Sequence, residues 1–180
     1  AEGLSEFDLA GWSFGAIVAF DMAQALAGNT LFKELILIDA FAPGAVPDQI
    51  LTYGEQEILN EISPLLDEAQ FMLEEGGSAV EQLCRLGMSK GVSREEIERI
   101  IDVFNHHMIA YRKLDQKYRD AVPDSKVSQA TLIYTRETQN YGPEQELLGW
   151  GRLVEDVHQT ISEGTHREMI ASSEVIDQLR

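Results

Sequence analysis

The chain has 180 residues, 44% of them apolar, and carries 31 acidic against 14 basic side chains for a net charge of −17. That length suits one sizeable core with an insertion, and no apolar run is long enough to cross a bilayer. The acidity is concentrated in residues 1–84, which hold −14 of the charge, and it argues against nucleic acid or an anionic membrane as partner.

The first element is a short strand running into Gly11-Trp12-Ser13-Phe14-Gly15, a Gly-x-Ser-x-Gly pattern with a helix-period segment directly behind it. This is the sequence form of a nucleophile elbow, a sharp strand-to-helix turn that presents one serine at the tip of a parallel sheet. Gly11 and Gly15 are expected to keep bulk away from the strained turn. The following helix, apolar from Ala16 to Ala27, ends at Gly28-Asn29 and aims its first N–H groups at the serine.

Next comes Leu35-Ile36-Leu37-Ile38, a four-residue apolar run that fits a parallel strand covered on both faces. Strand, helix and strand make a βαβ crossover. Asp39 follows at the strand's carboxyl end, where open α/β sheets place functional groups.

Residues 47–125 change character: Pro43, Gly44 and Pro47 break the chain, and helical signals follow without strands between them. Ser63-Pro64 reads as a cap ahead of a first-turn proline, and Ser78–Glu81 and Ser93–Glu96 read as capping boxes. Helix ends are expected at Gly76-Gly77 and near Gly87 or Gly91. The longest helix carries one apolar stripe of Ile97, Ile100, Ile101, Phe104, Met108, Tyr111 and Leu114. The predicted organisation is a sheet core from residues 1–46 and 126–180 with residues 47–125 as a helical lid insertion. Cys84, the single cysteine, excludes an internal disulfide framework, fits a reducing cytoplasm and is expected to be packed. No Cys/His cluster has metal-ligand spacing.

Residues 126–180 return to the sheet with strands predicted at Ala130–Tyr134 and Val154–Ile161. A loop, Gly164-Thr165-His166-Arg167-Glu168-Met169, and a short closing helix capped by Ser172 or Ser173 complete the chain.

A serine hydroxyl needs an adjacent base, and the base needs an orienting carboxylate. Ser13, Asp39 and His166 follow the serine–acid–histidine order of α/β-hydrolases, each directly beyond a predicted strand. Ser13 is then the nucleophile, His166 the proton carrier and Asp39 its orienter, with the Phe14 N–H as one oxyanion donor. Glu137, just past the next strand, stays open as an alternative acid. His106 and His107 fall on the long helix and His158 inside a strand, so His166 is the histidine placed for chemistry.

The elbow, the Ile38-Asp39-Ala40 strand end, the helical insertion and the Gly-x-His-x-x-Met loop at residues 164–169 resemble, in order across the chain, the thioesterase domains that end nonribosomal peptide and polyketide synthases. The resemblance implies a partial α/β-hydrolase fold, a mostly parallel sheet with a helical lid, and a triad of Ser13, Asp39 and His166. It implies no cofactor of the chain's own. The substrate would be an acyl or peptidyl chain delivered on the phosphopantetheine of a carrier protein, released from Ser13 by water or by an internal nucleophile. Family members carry several strands before the elbow strand, so the resemblance also implies a piece of a longer protein whose upstream region supplies the second oxyanion donor. Carrier proteins of these systems are acidic, which directs docking to Arg112, Lys113, Lys117 and Arg119, the densest basic stretch. A stand-alone editing thioesterase, a general esterase and a non-catalytic binding module are the competing readings.

Overall fold

In the computed structural model, residues 6–52, 54–66, 72–120, 126–141 and 146–179 are described. Contacts divide the chain into two compact units, Ala1–Pro47 with Lys113–Arg180, and Asp48–Arg112.

The first unit is built on four parallel strands in the spatial order of the sequence: β1 (Phe7–Trp12), β2 (Phe32–Ile38), β3 (Val127–Thr135) and β4 (Val154–Ser162). All four expected strands are present, and β2, β3 and β4 extend beyond the apolar runs that announced them. The extra residues include Lys33, Glu34, Ser128 and Gln129, which periodicity alone gives no reason to include. The parallel ladder holds Gln129, opposite Asp156, and runs on to Thr135 opposite Ser162, whereas Lys33 and Glu34 fall where the β1–β2 register shifts.

Helix α1 (Phe14–Ala25) crosses from β1 to β2 and buries Ala16, Ile17, Ala19, Phe20 and Ala23. The small alanines let the helix approach the sheet closely. Phe20 meets the rings of Tyr118 and Trp150 edge-on, at 5.7 and 5.4 Å between centroids. Trp150 is fully buried, and its indole N–H donates to the Ala40 carbonyl at 2.8 Å. Val18 and Met22, on the other side of α1, are exposed.

The second unit is helical. It contains α2 (Asp48–Leu51), α3 (Glu55–Ile62), a 3-10 turn at Ser63–Leu66, α4 (Ala79–Ser89) and the first part of α5 (Arg94–Asp120). Its core gathers Leu59, Ile62, Leu66, Ala79, Leu83, Cys84, Ile97 and Ile101. Cys84 is packed, as its pattern suggested, and burial pushes its thiol above the ordinary range.

Capping differs from expectation in two places. Ser93–Glu96 forms its box, with Glu96 Oε2 accepting the Ser93 N–H at 3.0 Å. Ser78 makes no cap bond; the Ala79 N–H is taken by the Glu55 carboxylate, and Glu81 pairs with Arg94 instead. Ser63 closes α3 and opens the 3-10 turn, its buried hydroxyl capping nothing, and any continuation past Leu66 lies outside the described residues until Met72. Gly87 lies inside α4, facing Ile97, so the break comes at Gly91, whose φ of +85° is the left-handed conformation that favours glycine.

Helix α5 carries the predicted stripe, with Ile97, Ile101, Met108 and Tyr111 buried. The expected insertion ran to residue 125, whereas the helical unit ends at Arg112. The reason is Asp115: buried in the last turns of α5, it accepts the backbone N–H groups of Gly44 at 2.7 Å and Val46 at 3.2 Å, and pairs with Arg119. Gly44, at φ +83°, has room only for hydrogen, since a Cβ there would stand 2.8 Å from the Tyr118 carbonyl. Among the described residues no helix is long and apolar enough to cross a membrane.

Candidate active site

Three chain segments leave the carboxyl edge of the sheet side by side, and backbone bonds tie them together. The Ser13 N–H donates to the Ile38 carbonyl at 2.9 Å, and the Asp39 N–H to the Ile133 carbonyl at 2.7 Å. The first residues beyond β1 and β2 are thus fixed against the neighbouring strand rather than left as loops.

Ser13 sits between β1 and α1 with φ 55° and ψ −127°, a strained conformation for a residue with a side chain. Although it stands at the N-cap, its hydroxyl makes no capping bond. Phe14 opens α1 immediately behind it. The two glycines differ. A Cβ on Gly11 would fall 2.1 Å from the Gly15 carbonyl oxygen, so the turn closes only with hydrogen there. A Cβ on Gly15 would meet nothing within 4 Å, which corrects the expectation that both were needed for lack of bulk.

Asp39 is 2% exposed and its backbone, at φ 49°, is also left-handed. Its carboxylate is saturated by hydrogen bonds. Oδ1 accepts the Thr135 N–H at 2.7 Å, Oδ2 accepts the Thr138 hydroxyl at 2.9 Å, and Oδ2 faces Nδ1 of His166 at 2.7 Å. A buried carboxylate needs such partners to remain charged. Thr135, the last residue of β3, and Thr138, in the first turn of α6 (Arg136–Tyr141), supply them. Sequence reasoning missed both threonines; the one available signal was the position of Thr135 at the same carboxyl edge.

The histidine segment explains its own motif. Gly164 turns at φ +108°, which a side chain would oppose. The Glu168 carboxylate accepts the Thr165 N–H and hydroxyl, both at 2.9 Å, and these bonds hold its carboxyl below the usual carboxylate range. Met169, 1% exposed, plugs into a cluster of Ile36, Ile38, Ile133 and Val175. Pinned at both ends, the segment presents His166 with its ring about one-third exposed. Trp12 stacks on that ring at 5.0 Å and 25°, and donates its indole N–H to the His166 carbonyl at 3.2 Å.

Glu137, the alternative acid, also reaches His166, but at the main chain: its Oε2 accepts the His166 N–H at 3.2 Å. The imidazole itself is held by Asp39. The other three histidines are exposed. His106 is exposed on α5 with its ring against the Asp102 carbonyl, His107 is exposed beside it, and His158 is exposed on β4 near Asp156.

The four basic residues at the end of α5 do not form one free patch. Arg112 donates to the Leu51 carbonyl at 2.6 Å, and Lys117 lies 3.7 Å from Asp21 and over the Tyr118 ring. Arg119 is engaged by Asp115 and the Val46 carbonyl. Lys113 is exposed. Among the described residues, no group of three or more His, Cys, Asp or Glu side chains has the geometry to hold a metal ion.

Solved structures give the fold independently. The Vlm2 thioesterase domain superposes with a TM-score of 0.59 at 20% identity, over 98% of this chain and 69% of that one. The NocB thioesterase domain, in covalent complex with a fluorophosphonate nocardicin G analogue, matches with a TM-score of 0.54 at 19% identity, over 97% and 63%. The type II thioesterase BorB from the borrelidin biosynthetic cluster matches at 0.52 and 15%, over 97% and 62%. This chain therefore spans between 62% and 69% of the length of these three. A comparison with curated proteins finds no match. The thioesterase-domain family model matches residues 4–180, so the strand–elbow–helix, the Asp39 strand end and the histidine segment all fall within it, and the chain belongs to the thioesterase domain family.

Proposed function

We propose that this chain is the catalytic part of a serine thioesterase that takes an acyl or peptidyl chain from the phosphopantetheine thioester of a carrier protein and releases it by hydrolysis or ring closure. The observation that carries the reading is the Asp39–His166 pair, 2.7 Å apart, at the same sheet edge as a strained serine whose hydroxyl caps nothing.

In this reading Ser13 attacks the thioester carbonyl and its hydroxyl proton passes to Nε2 of His166. Asp39 accepts a hydrogen bond from Nδ1–H without taking the proton, fixes the tautomer and stabilises the imidazolium that forms. The negative charge developing on the carbonyl oxygen is met by the Phe14 N–H at the start of α1. The proton then returns to the departing pantetheine sulfur, leaving an ester on Ser13. Water or a nucleophile within the acyl or peptidyl chain gives its proton to His166 and attacks the ester carbonyl; the bond to Ser13 breaks, His166 returns the proton to the Ser13 oxygen, and the product is freed. No metal or redox cofactor takes part in this sequence, and phosphopantetheine enters as substrate.

The capture of NocB by a fluorophosphonate indicates the probe. Such a reagent should label this chain at Ser13, and Ser13→Ala should abolish both labelling and hydrolysis of an acyl-pantetheine thioester. Persistent labelling in Ser13→Ala, or faster turnover of oxygen esters than of thioesters, would overturn the reading. The same chemistry serves a stand-alone editing enzyme. Release of short acyl groups from separately supplied carriers, in preference to long chains, would favour that role.

A further inference from the structure

A single hydrogen bond from Nδ1 to Asp39 leaves an imidazole free to swing about that bond, and His166 is one-third exposed. Its ring plane must be set by something else. Among the described residues the group lying flat against it is the indole of Trp12, with centroids 5.0 Å apart and planes 25° from parallel. The same indole donates Nε1–H to the His166 carbonyl at 3.2 Å, so one side chain holds both the ring and the main chain of the histidine. Trp12 is also the residue immediately before Ser13, at the end of β1, and cannot move without moving the elbow.

We propose that Trp12 is a positioning residue for the acyl-transfer reaction: its indole fixes the plane of the His166 imidazole about its bond to Asp39 and stabilises the positive charge that the ring gains in the transition state. The second part follows from chemistry. When His166 takes the Ser13 proton it becomes a cation lying on the face of an indole, the aromatic ring that attracts cations best. That attraction is absent while the imidazole is neutral. It therefore strengthens as the transition state forms, and an interaction of that kind raises kcat without changing KM. Glu137, on the His166 N–H, and Met169, in the core, hold the segment's main chain but leave the ring's rotation untouched.

The proposal rests on the serine reading above, and the experiment separates the two. In the full chain, the rate of fluorophosphonate labelling, and kcat and KM on a small acyl-pantetheine, are compared for wild type, Trp12→Phe and Trp12→Leu. In parallel, NMR reads the His166 ring protons, which a stacked indole shifts upfield.

The expected result is that Trp12→Leu lowers the labelling rate and kcat by about tenfold, the size of a cation–π contact, with KM within about twofold. Trp12→Phe, which keeps a ring but loses the N–H, should recover most of that loss. The upfield shift should be present in wild type and Trp12→Phe and absent in Trp12→Leu.

Equal losses in the two variants, a loss confined to KM, or wild-type rates in Trp12→Leu would overturn the positioning role. Unshifted His166 ring protons in wild type would overturn it even if Trp12→Leu failed to fold. Labelling that survives Ser13→Ala would overturn the serine reading, and the role of Trp12 with it.

Discussion

Asp39 Oδ2 stands 2.7 Å from Nδ1 of His166, although 127 residues separate the two in the chain. Glu137 touches the same histidine at its main-chain N–H instead. The two carboxylates therefore have separable effects. Asp39→Asn keeps the shape but turns an acceptor into a donor and reverses the tautomer, and kcat should fall on the order of 10⁴-fold. Glu137→Gln keeps an acceptor for the N–H and should cost less than about tenfold, since a neutral bond replaces a charge-assisted one. Steady-state rates on one acyl-pantetheine decide it, and a larger loss in Glu137→Gln would reassign the acid.

The threonines beneath Asp39 give a graded version of the same test. Thr138→Val removes the hydroxyl that bonds Oδ2 at 2.9 Å and leaves a buried carboxylate short of a donor. Thermal unfolding should show a loss of about 1–3 kcal/mol. Thr138→Ser, which retains the hydroxyl, should recover most of it.

Gly11 and Gly15 look equivalent in the Gly-x-Ser-x-Gly pattern, and the fold makes them unequal. A Cβ at Gly11 would strike the Gly15 carbonyl at 2.1 Å, and both groups are backbone, so neither can turn aside. Gly11→Ala should destabilise by at least about 1–3 kcal/mol. Gly15, in the first turn of α1 with open space around its Cβ position, should accept alanine with a change of about 0.5–1 kcal/mol in favour of stability, because alanine is the better helix residue. Denaturant midpoints of the two variants should move in opposite directions.

What made the site legible is that its chemistry-bearing residues follow apolar strands whose ends a sequence marks plainly. Ser13 and Asp39 are such residues, directly after β1 and β2; His166 stands in the loop beyond β4, a mostly exposed strand legible by its alternation, and the sheet brings the three segments to one edge. Thr135 and Thr138 were invisible because they act on a buried acid through hydrogen bonds that carry no periodic signature. Trp12 was hidden inside the elbow motif, where its stacking partner lies 154 positions away. The four bases at the end of α5 looked like a patch only in one dimension. Helical rotation sends Lys113 and Lys117 to one side and Arg112 and Arg119 to another, and three of the four find partners within the fold.

That distribution sharpens the question of carrier docking. Lys113 is exposed, whereas Lys117 is already beside Asp21. If an acidic carrier approaches this helix end, Lys113→Glu should slow transfer from an acyl-carrier protein while a small soluble thioester reacts at the wild-type rate. The difference should shrink as salt is raised, since surface attraction is screened beyond about 10 Å at 0.1 M. Equal slowing of both substrates would remove the helix end as a landing site.

The last turns of α5 also set an alkaline limit on stability. Burial, followed by the charge of Asp21 and the hydrogen bond to it, pushes the Tyr118 phenol up to about 12. Its hydroxyl lies 2.8 Å from Gln24 Oε1 and 3.1 Å from Asp21 Oδ1, both on α1. A phenol whose folded pKa exceeds its unfolded value of about 10 favours folding in its neutral form. That contribution is complete below pH 10 and is lost as the pH rises toward about 12, where the folded protein ionises too. Denaturant unfolding followed from pH 8 to 12 should therefore show stability falling above about pH 10. Tyr118→Phe, which cannot ionise, should begin about 0.5–1.5 kcal/mol lower at neutral pH for want of the hydrogen bond, then fall less steeply, so that the two curves converge. Parallel curves across that interval would show that the phenol ionises as readily in the folded chain as in the unfolded one.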